Sequence, residues 1–374
     1  MHERPNRIAA FAVLALIGFG VSCWLYFWLF GVLRYWGAGA VAGCVTAVIL
    51  TLCALGAIVV RPIPVKASAI AVLYVVIFSL LFEALRRVFA WGIPALTAPG
   101  WLWRGGVAAL IATLAMLGYG ALHGRRMALT RYSLETPLPV QADEVRIALI
   151  SDVHMGLTID EPRLRRELTR LAAEQPDLLV IAGDLVDDRT TPAQMRAACA
   201  IIGGFPAKHG VFFVYGNHDL ASHGPTPPYT REELDGALTG AGVRILDDQI
   251  ASAAGLTLVG RHDAGFSRNP DRAPLSRLLE TADRARPIVL VDHQPREMKE
   301  AAAAGVTLQL GGHTHAGQVW PMSWLSRLSG VAYGHRRVGA MDAIVSSGMG
   351  NRGSKLRSGC TAEMVLIRLR HVDR

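Results

Sequence analysis

The chain has 374 residues, enough for about two domains, with a net charge of +8 and 51% apolar residues. Its cysteines, Cys23, Cys44, Cys53, Cys199 and Cys360, have no paired spacing, which argues against a disulfide framework and against a thiolate zinc module. The excess of arginine fits attraction to anionic lipid head groups more simply than it fits nucleic acid, given what the first third of the chain contains.

Residues 1–123 are almost continuously apolar and fall into four runs, 8–33, 38–60, 67–89 and 101–122. Each reaches the ~20 residues that cross a ~30 Å hydrocarbon layer as a helix. Trp28, Trp36, Trp91, Trp101 and Trp103 lie near the run ends, where indole rings favour the membrane interface. The expectation is a transmembrane region of about four helices. A signal peptide followed by core helices fits less well, because no small-residue cleavage site follows the first run. Arg4, Arg7, Arg61, Lys66, Arg125, Arg126 and Arg131 would share one side, and Arg34, Arg86, Arg87 and Arg104 the other. The larger basic set marks the cytoplasm, and an even number of spans puts the C-terminal part there too. Glu3 and Glu83 are the only acidic residues in or beside the runs, which argues against an ion pathway and so against a transporter.

Residues 124–144, with Arg125, Arg126, Pro137 and Pro139, read as a linker. From 145 to 374 the pattern is that of a soluble α/β domain. Strands are predicted at 145–150, 178–182, 211–215, 256–259, 288–291, 307–310, 343–346 and 364–369. Helices are predicted at 161–174, 192–202, 231–241 and 296–304. Strands alternating with helices point to a layered α/β architecture.

The polar clusters recur at one kind of place, just past the end of an apolar strand. Ile150 is followed by Ser151-Asp152-Val153-His154, and Ala182 by Gly183-Asp184-Leu185-Val186-Asp187-Asp188. Tyr215 is followed by Gly216-Asn217-His218-Asp219, Val291 by Asp292-His293, and Leu310 by Gly311-Gly312-His313-Thr314-His315. Open α/β sheets form ligand sites at that edge. Carboxylate, imidazole and amide donors without a thiolate suit manganese, iron or zinc in a catalytic setting. In an extended segment, Asp-x-His and His-x-His would each point both side chains to one side. The glycines at 183, 216, 311 and 312 suit close backbone approach.

With Ser151 to Gly156, Gly216 to Asp219, Gly312 to Gln318 and Val345 to Gly350 in this order, residues 145–370 resemble the calcineurin-like metallophosphoesterases, nearest the bacterial branch of the YkuE-type enzymes. Ala316 departs from the branch, which often has glycine there, and Arg357-Ser358-Gly359-Cys360-Thr361 replaces its proline-rich stretch; neither touches a ligand position. The resemblance implies a four-layer αββα sandwich over 145–374 and a centre of two divalent ions, manganese first, iron or zinc as alternatives. It implies Asp152, His154, Asp184 and His315 on one ion and Asp184, Asn217, His293 and His313 on the other, with Asp184 shared. Such ions sit about 3.5–4 Å apart and clamp an in-line displacement by a bridging hydroxide. His218 would serve the leaving oxygen, oriented by Asp219, Asp187 or Asp263.

The expected activity is hydrolysis of a phosphomonoester, phosphodiester or phosphoanhydride by a protein integral to a bacterial inner membrane. The apolar stretch 320–328, with Arg327, Arg336 and Arg337 nearby, reads either as a packed lid or core helix or as an interfacial segment for a lipid-linked substrate. One rival is a phosphodiesterase for soluble nucleotides or nucleic acid, but the soluble part shows no run of aromatics interleaved with basic residues. A non-catalytic sensor is the other, and the full set of candidate ligands argues against it. The oligomeric state is left open.

Overall fold

The structure is a computed structural model that describes residues 4–59, 63–97, 99–220, 227–265, 271–328 and 333–373; for 4–18, 53–59, 63–66 and 328 it describes the backbone alone. Glu3 and Arg61 therefore lie outside the described residues, as do the side chains of Arg4, Arg7, Lys66 and Cys53. The chain divides into two compact units, Met1–Tyr119 and Gly120–Arg374.

The first unit holds α1 (Arg4–Tyr35), α2 (Ala40–Val59), α3 (Ile63–Gly92) and the short α4 (Gly100–Trp103); α5 (Val107–His123) ends in the second unit. The first three predicted runs become α1 to α3. The fourth, 101–122, does not form one helix. The chain turns at Arg104–Gly105–Gly106, with φ of 74° at Gly106, where a side chain would be strained. α5 is left with 17 residues, about 25 Å at 1.5 Å per residue. Among the described residues, Ala67–Gly92 is the one segment long and apolar enough to cross a membrane; Ala40–Leu52 and Val107–His123 are shorter.

The second unit runs β1 (Met127–Thr136), β2 (Glu144–Ile150), α6 (Glu161–Ala172), β3 (Leu178–Ala182), α7 (Pro192–Gly203), β4 (Val211–Val214), α8 (Arg231–Gly240), β5 (Val243–Ile245), β6 (Gln249–Ala253), β7 (Leu256–Gly260), α9 (Leu275–Leu279), β8 (Ile288–Val291), α10 (Met298–Ala303), β9 (Leu308–Gly311), α11 (Met322–Leu328), β10 (Gly334–Val338), β11 (Met341–Val345) and β12 (Ala362–His371). Helix starts carry their own signals. Asp160 caps α6, and Thr191 with Gln194 and Thr230 with Glu233 form capping boxes on α7 and α8.

Two six-stranded sheets form, in the orders β1-β12-β2-β3-β4-β5 and β10-β11-β9-β8-β7-β6. β2 to β5 run parallel, as do β7, β8, β9 and β11. Such strands are buried on both faces and therefore read as continuous apolar runs. Ile147, Leu149, Val180 and Phe212 of the first sheet pack against Leu258, Val289, Val291 and Leu310 of the second. Leu164, Leu168 and Leu171 of α6, with residues of α7 and α8, cover the outer face of the first sheet. Leu275, Leu278 and Ala301 of α9 and α10 cover the second. The result is four layers, αββα.

The expected linker, 124–144, is corrected in part. Met127–Thr136 is an edge strand that pairs in parallel with β12 from Met127–Ala362 to Thr136–His371. Its side chains are mostly half-buried, so neither face shows a clean apolar alternation.

Candidate metal centre

The polar clusters lie on the loops after β2, β3 and β4 of one sheet and after β8 and β9 of the other. The carboxyl ends of both parallel sets therefore meet at one edge. Asp152, His154 and His315 form one group with convergent ligand atoms, and Asp184, His293 and His313 form a second. Within the first, His154 Nε2 is 3.2 Å from His315 Nε2, which is 3.5 Å from Asp152 Oδ1. Within the second, His293 Nε2 is 3.3 Å from Asp184 Oδ2 and 3.2 Å from His313 Nδ1. Asn217 Oδ1 joins it, 2.9 Å from His313 Nδ1 and 3.3 Å from His293 Nε2. Asp184 Oδ2 also lies 3.7 Å from His154 Nε2, so one carboxylate stands between the groups.

Extended alternation, expected to aim the paired side chains, is not what aims them. Asp152, His154, Asp184, His313 and His315 all have left-handed backbone, with φ between 45° and 70°. Each such residue costs about 1 kcal/mol or more, and that strain clusters at functional sites. The loops turn sharply at these five candidate ligands, which a strand could not do. Small residues make room for this. A Cβ on Gly216 would run into the Asp184 carboxylate, and one on Gly312 into that of Asp152. Gly348, on the loop after β11, has φ of 80° and lies against Asp152 Cβ. That sixth loop was legible only as part of the stretch Val345 to Gly350.

The supporting carboxylates differ from expectation. Asp219, expected to orient His218, instead accepts backbone N–H groups from Asp184 (2.6 Å), Gly216 (2.8 Å) and Val186 (3.1 Å). It clamps the loop that carries Asp184. None of its hydrogen bonds among the described residues goes to the His218 ring. Burial, with Asp184 nearby, raises the Asp219 carboxyl to about 7. Asp187 sits with Oδ2 3.2 Å from His154 Nδ1 and 3.0 Å from Arg352 Nη1, so it holds His154 and not His218. Asp263 accepts from Gln294 Nε2 at 3.1 Å, beside His293. His218 donates its backbone N–H to Asp184 Oδ1 at 2.8 Å, and its ring centre is 5.2 Å from that of His154. Burial pushes the His218 imidazole down to about 4, so it is neutral near pH 7. Arg352 was not singled out from the sequence. Its Nη1 also pairs with Asp188 at 3.0 Å, and it lies on an irregular loop with no local signature.

The donor set fits a cation. His293 Nδ1 donates to the Ala182 carbonyl at 2.8 Å, so Nε2 of the neutral ring is a bare lone pair. That lone pair faces the oxygens of Asp184 and Asn217 and a nitrogen of His313. Buried groups do not point lone pairs at one another without positive charge between them. The electrostatics agree. Burial opposes charge on both partners, yet Asp184 draws positive charge to this spot, holding the His293 imidazole well above its ordinary value while His293 holds the Asp184 carboxyl well below its own; a bound cation would take the place of that proton.

A family model described as calcineurin-like phosphoesterase matches residues 145–317. A metallophosphoesterase of Helicobacter pylori is 30% identical over 264 residues, covering 68% of each chain. The chain belongs to the calcineurin-like metallophosphoesterase family, a class of metal-dependent phosphoric ester hydrolases. The metallophosphoesterase YkuE of Bacillus subtilis is 29% identical over 239 residues, 63% of this chain and 78% of that one. A zebrafish protein described as a transmembrane protein with a metallophosphoesterase domain is 28% identical over 284 residues, 71% of this chain. This metallophosphoesterase spans only 62% of the length of the zebrafish relative, and of one from Campylobacter jejuni.

Proposed function

We propose that the chain is a membrane-anchored phosphoesterase with two divalent ions, one held by Asp152, His154, Asp184 and His315, the other by Asp184, Asn217, His293 and His313. The carrying observation is the Asp184 carboxylate, 3.3 Å from His293 Nε2 and 3.7 Å from His154 Nε2. Manganese suits the mixed oxygen and nitrogen donors, with iron or zinc compatible. When bound, such ions lower the pKa of water and neutralise phosphoryl oxygens.

The chain's own residues do the rest. Asp184 and Asp152 supply the negative field that concentrates the ions at one edge. Asp219 fixes the turn that aims Asp184. Asp187 keeps His154 in register, as the outer partners of ligand histidines do. His218, beside the first group, donates a hydrogen bond or proton to the leaving oxygen.

The anchor reading rests on the apolar segment Ala67–Gly92 and on the outward apolar side chains of the first unit, such as Phe27, Val41, Leu52 and Trp91. The zebrafish relative, a transmembrane protein with a metallophosphoesterase domain, supports it. About four spans in a bacterial inner membrane, with the second unit on the cytoplasmic face, is the arrangement that the basic residues favour. A lipid-linked phosphate ester is the substrate class that such tethering serves.

The test is a panel of bis-p-nitrophenyl phosphate, phospholipids and nucleotide–lipid diphosphates, given to the detergent-solubilised full chain with manganese, iron or zinc. Metal-dependent turnover that a chelator abolishes supports the reading. No turnover with any metal, or turnover indifferent to chelation, overturns it.

A further inference from the structure

The second unit exposes few large apolar side chains. Apart from Leu122 on α5, those among the described residues are Met322 (43% exposed), Trp324 (58%), Leu325 (43%) and Tyr333 (37%). Met322, Trp324 and Leu325 lie on α11, which follows the His313 and His315 loop within the same stretch of chain. Isolated exposed leucines need no explanation, but an exposed cluster led by a tryptophan does.

α11 is not loose. Gln318, buried between His315 and α11, accepts from Arg352 N at 2.8 Å and donates to Leu356 O at 3.0 Å. Its carbonyl accepts the N–H groups of Ser358 (3.1 Å) and Gly359 (3.0 Å). Ser323, the inward residue of α11, is buried against Gly359. The inner side of the helix is thus fixed to the loop that carries Arg352, and its apolar side stays outward.

Cations lie on α11 and on the strand that follows it. Arg327, Arg336 and Arg337 are exposed, and none pairs with a carboxylate among the described residues. Other exposed arginines of the unit are in part paired with carboxylates, as in Arg131–Glu174, Arg165–Glu161 and Arg370–Glu144, and in part not among the described residues, as in Arg196, Arg244 and Arg277; what marks this stretch is that its unpaired arginines accompany an exposed tryptophan. Arg327 lies over the Tyr333 ring at 5.9 Å, which joins α11 to the edge strand β10 that carries Arg336 and Arg337. Exposed tryptophan and leucine rimmed by unpaired arginine is the chemistry of an interfacial segment.

We propose that α11 and β10 form a surface by which the catalytic unit rests on an anionic bilayer, so that a phosphate ester of a lipid head group meets the metal loop that α11 extends. The choice of substrate rests on the phosphoesterase reading; the lipid contact does not. Each arginine near an anionic surface contributes about fivefold in partitioning.

The test is hydrogen–deuterium exchange on the full chain, in nanodiscs of phosphatidylcholine alone, in nanodiscs with phosphatidylglycerol added, and in detergent. Exchange over 319–328 slows by about tenfold or more in the anionic discs only. The triple variant Arg327→Glu, Arg336→Glu and Arg337→Glu loses that protection, while exchange in β2 and β3 stays at the wild-type rate and reports an intact fold. Equal exchange in all three environments overturns the proposal. So does protection that survives the triple variant, or protection that grows with protein concentration in detergent, which would mark a second copy as the occupant. Hydrolysis of bis-p-nitrophenyl phosphate by the same wild-type sample is read separately. Its absence, together with no turnover of the rest of the phosphoester panel under any metal, defeats the phosphoesterase reading and leaves the exchange result standing.

Discussion

His154 Nε2 and His315 Nε2 face each other at 3.2 Å, although 161 positions separate the residues in the chain. Both rings are fully buried, and burial pushes the His315 imidazole down to about 3, so at neutral pH it offers a lone pair. Asp184 Oδ2 lies 3.7 Å from the same His154 Nε2. A cation at this place would be held by both rings and by Asp184.

Asp184→Ala removes the carboxylate common to both groups. Metal content measured by elemental analysis falls toward zero. Turnover falls by more than about 100-fold, since even an outer partner of a ligand costs 10–100-fold. Two ions retained with full turnover would remove Asp184 from the shared position. Chelation of the wild type has a related signature. It lowers the thermal midpoint, because a ligand at 100 times its Kd contributes about 2.7 kcal/mol.

His218→Ala separates chemistry from binding. The side chain belongs to neither group of convergent donors, and its backbone N–H to Asp184 survives the change. Metal content stays at the wild-type level while kcat falls about 10²–10⁴-fold, the range for loss of a general acid. A fully active variant refutes the role.

Asp187→Asn tests the outer hold on His154. Burial would raise the Asp187 carboxyl, but its contact with His154 outweighs this and holds it at about 2. The amide cannot supply that charge. Affinity for the first ion drops about 10–100-fold in a metal-competition titration, with the second ion less affected. Equal affinity would make Asp187 a bystander.

Gly216→Ala places a methyl group against the Asp184 carboxylate and the Asp184 backbone nitrogen. Overpacking of this kind costs about 1–3 kcal/mol. The variant melts earlier and binds metal less tightly, although no donor atom has been removed. Wild-type melting and metal content together would show that the loops can spread.

His262 and Asp247 give a pH signature away from the ions. Their hydrogen bond is 2.6 Å long, and Asp247 also pairs with Arg231 at 2.6 Å. The hydrogen bond from Asp247 raises the His262 imidazole above its ordinary value. A raised histidine contributes stability in full below about pH 6.5, and loses it as pH climbs through the folded-state value. The stability gap between wild type and His262→Gln is therefore wider at pH 6 than at pH 9, and below about 1 kcal/mol for a solvent-screened pair. Comparing the two proteins at each pH cancels the pH dependence of metal loading. A gap that widens toward alkaline pH reverses the assignment.

Strands such as Leu178–Ala182 and Ile288–Val291 were legible to the residue, because a parallel strand buried on both faces is a short unbroken apolar run. β1 was read as a linker because an edge strand with half-buried side chains lacks that run. β5 and β6 are three and five residues long, too short to carry a period, and were not predicted. The helix through 101–122 failed on the conformation at Gly106, which hydropathy does not register.

The sequence by itself determined which residues are the candidate ligands, since donor type and position after each strand are local properties. It also determined the family. Only the tertiary structure decided how those residues converge: left-handed turns at five of the seven candidate ligands, Asp219 spent on three backbone amides, Asp187 set against His154, and Arg352 brought in from a distant loop. These are contacts between loops of two different sheets. Their partners are fixed by how the sheets pack, and no spacing along the chain records it.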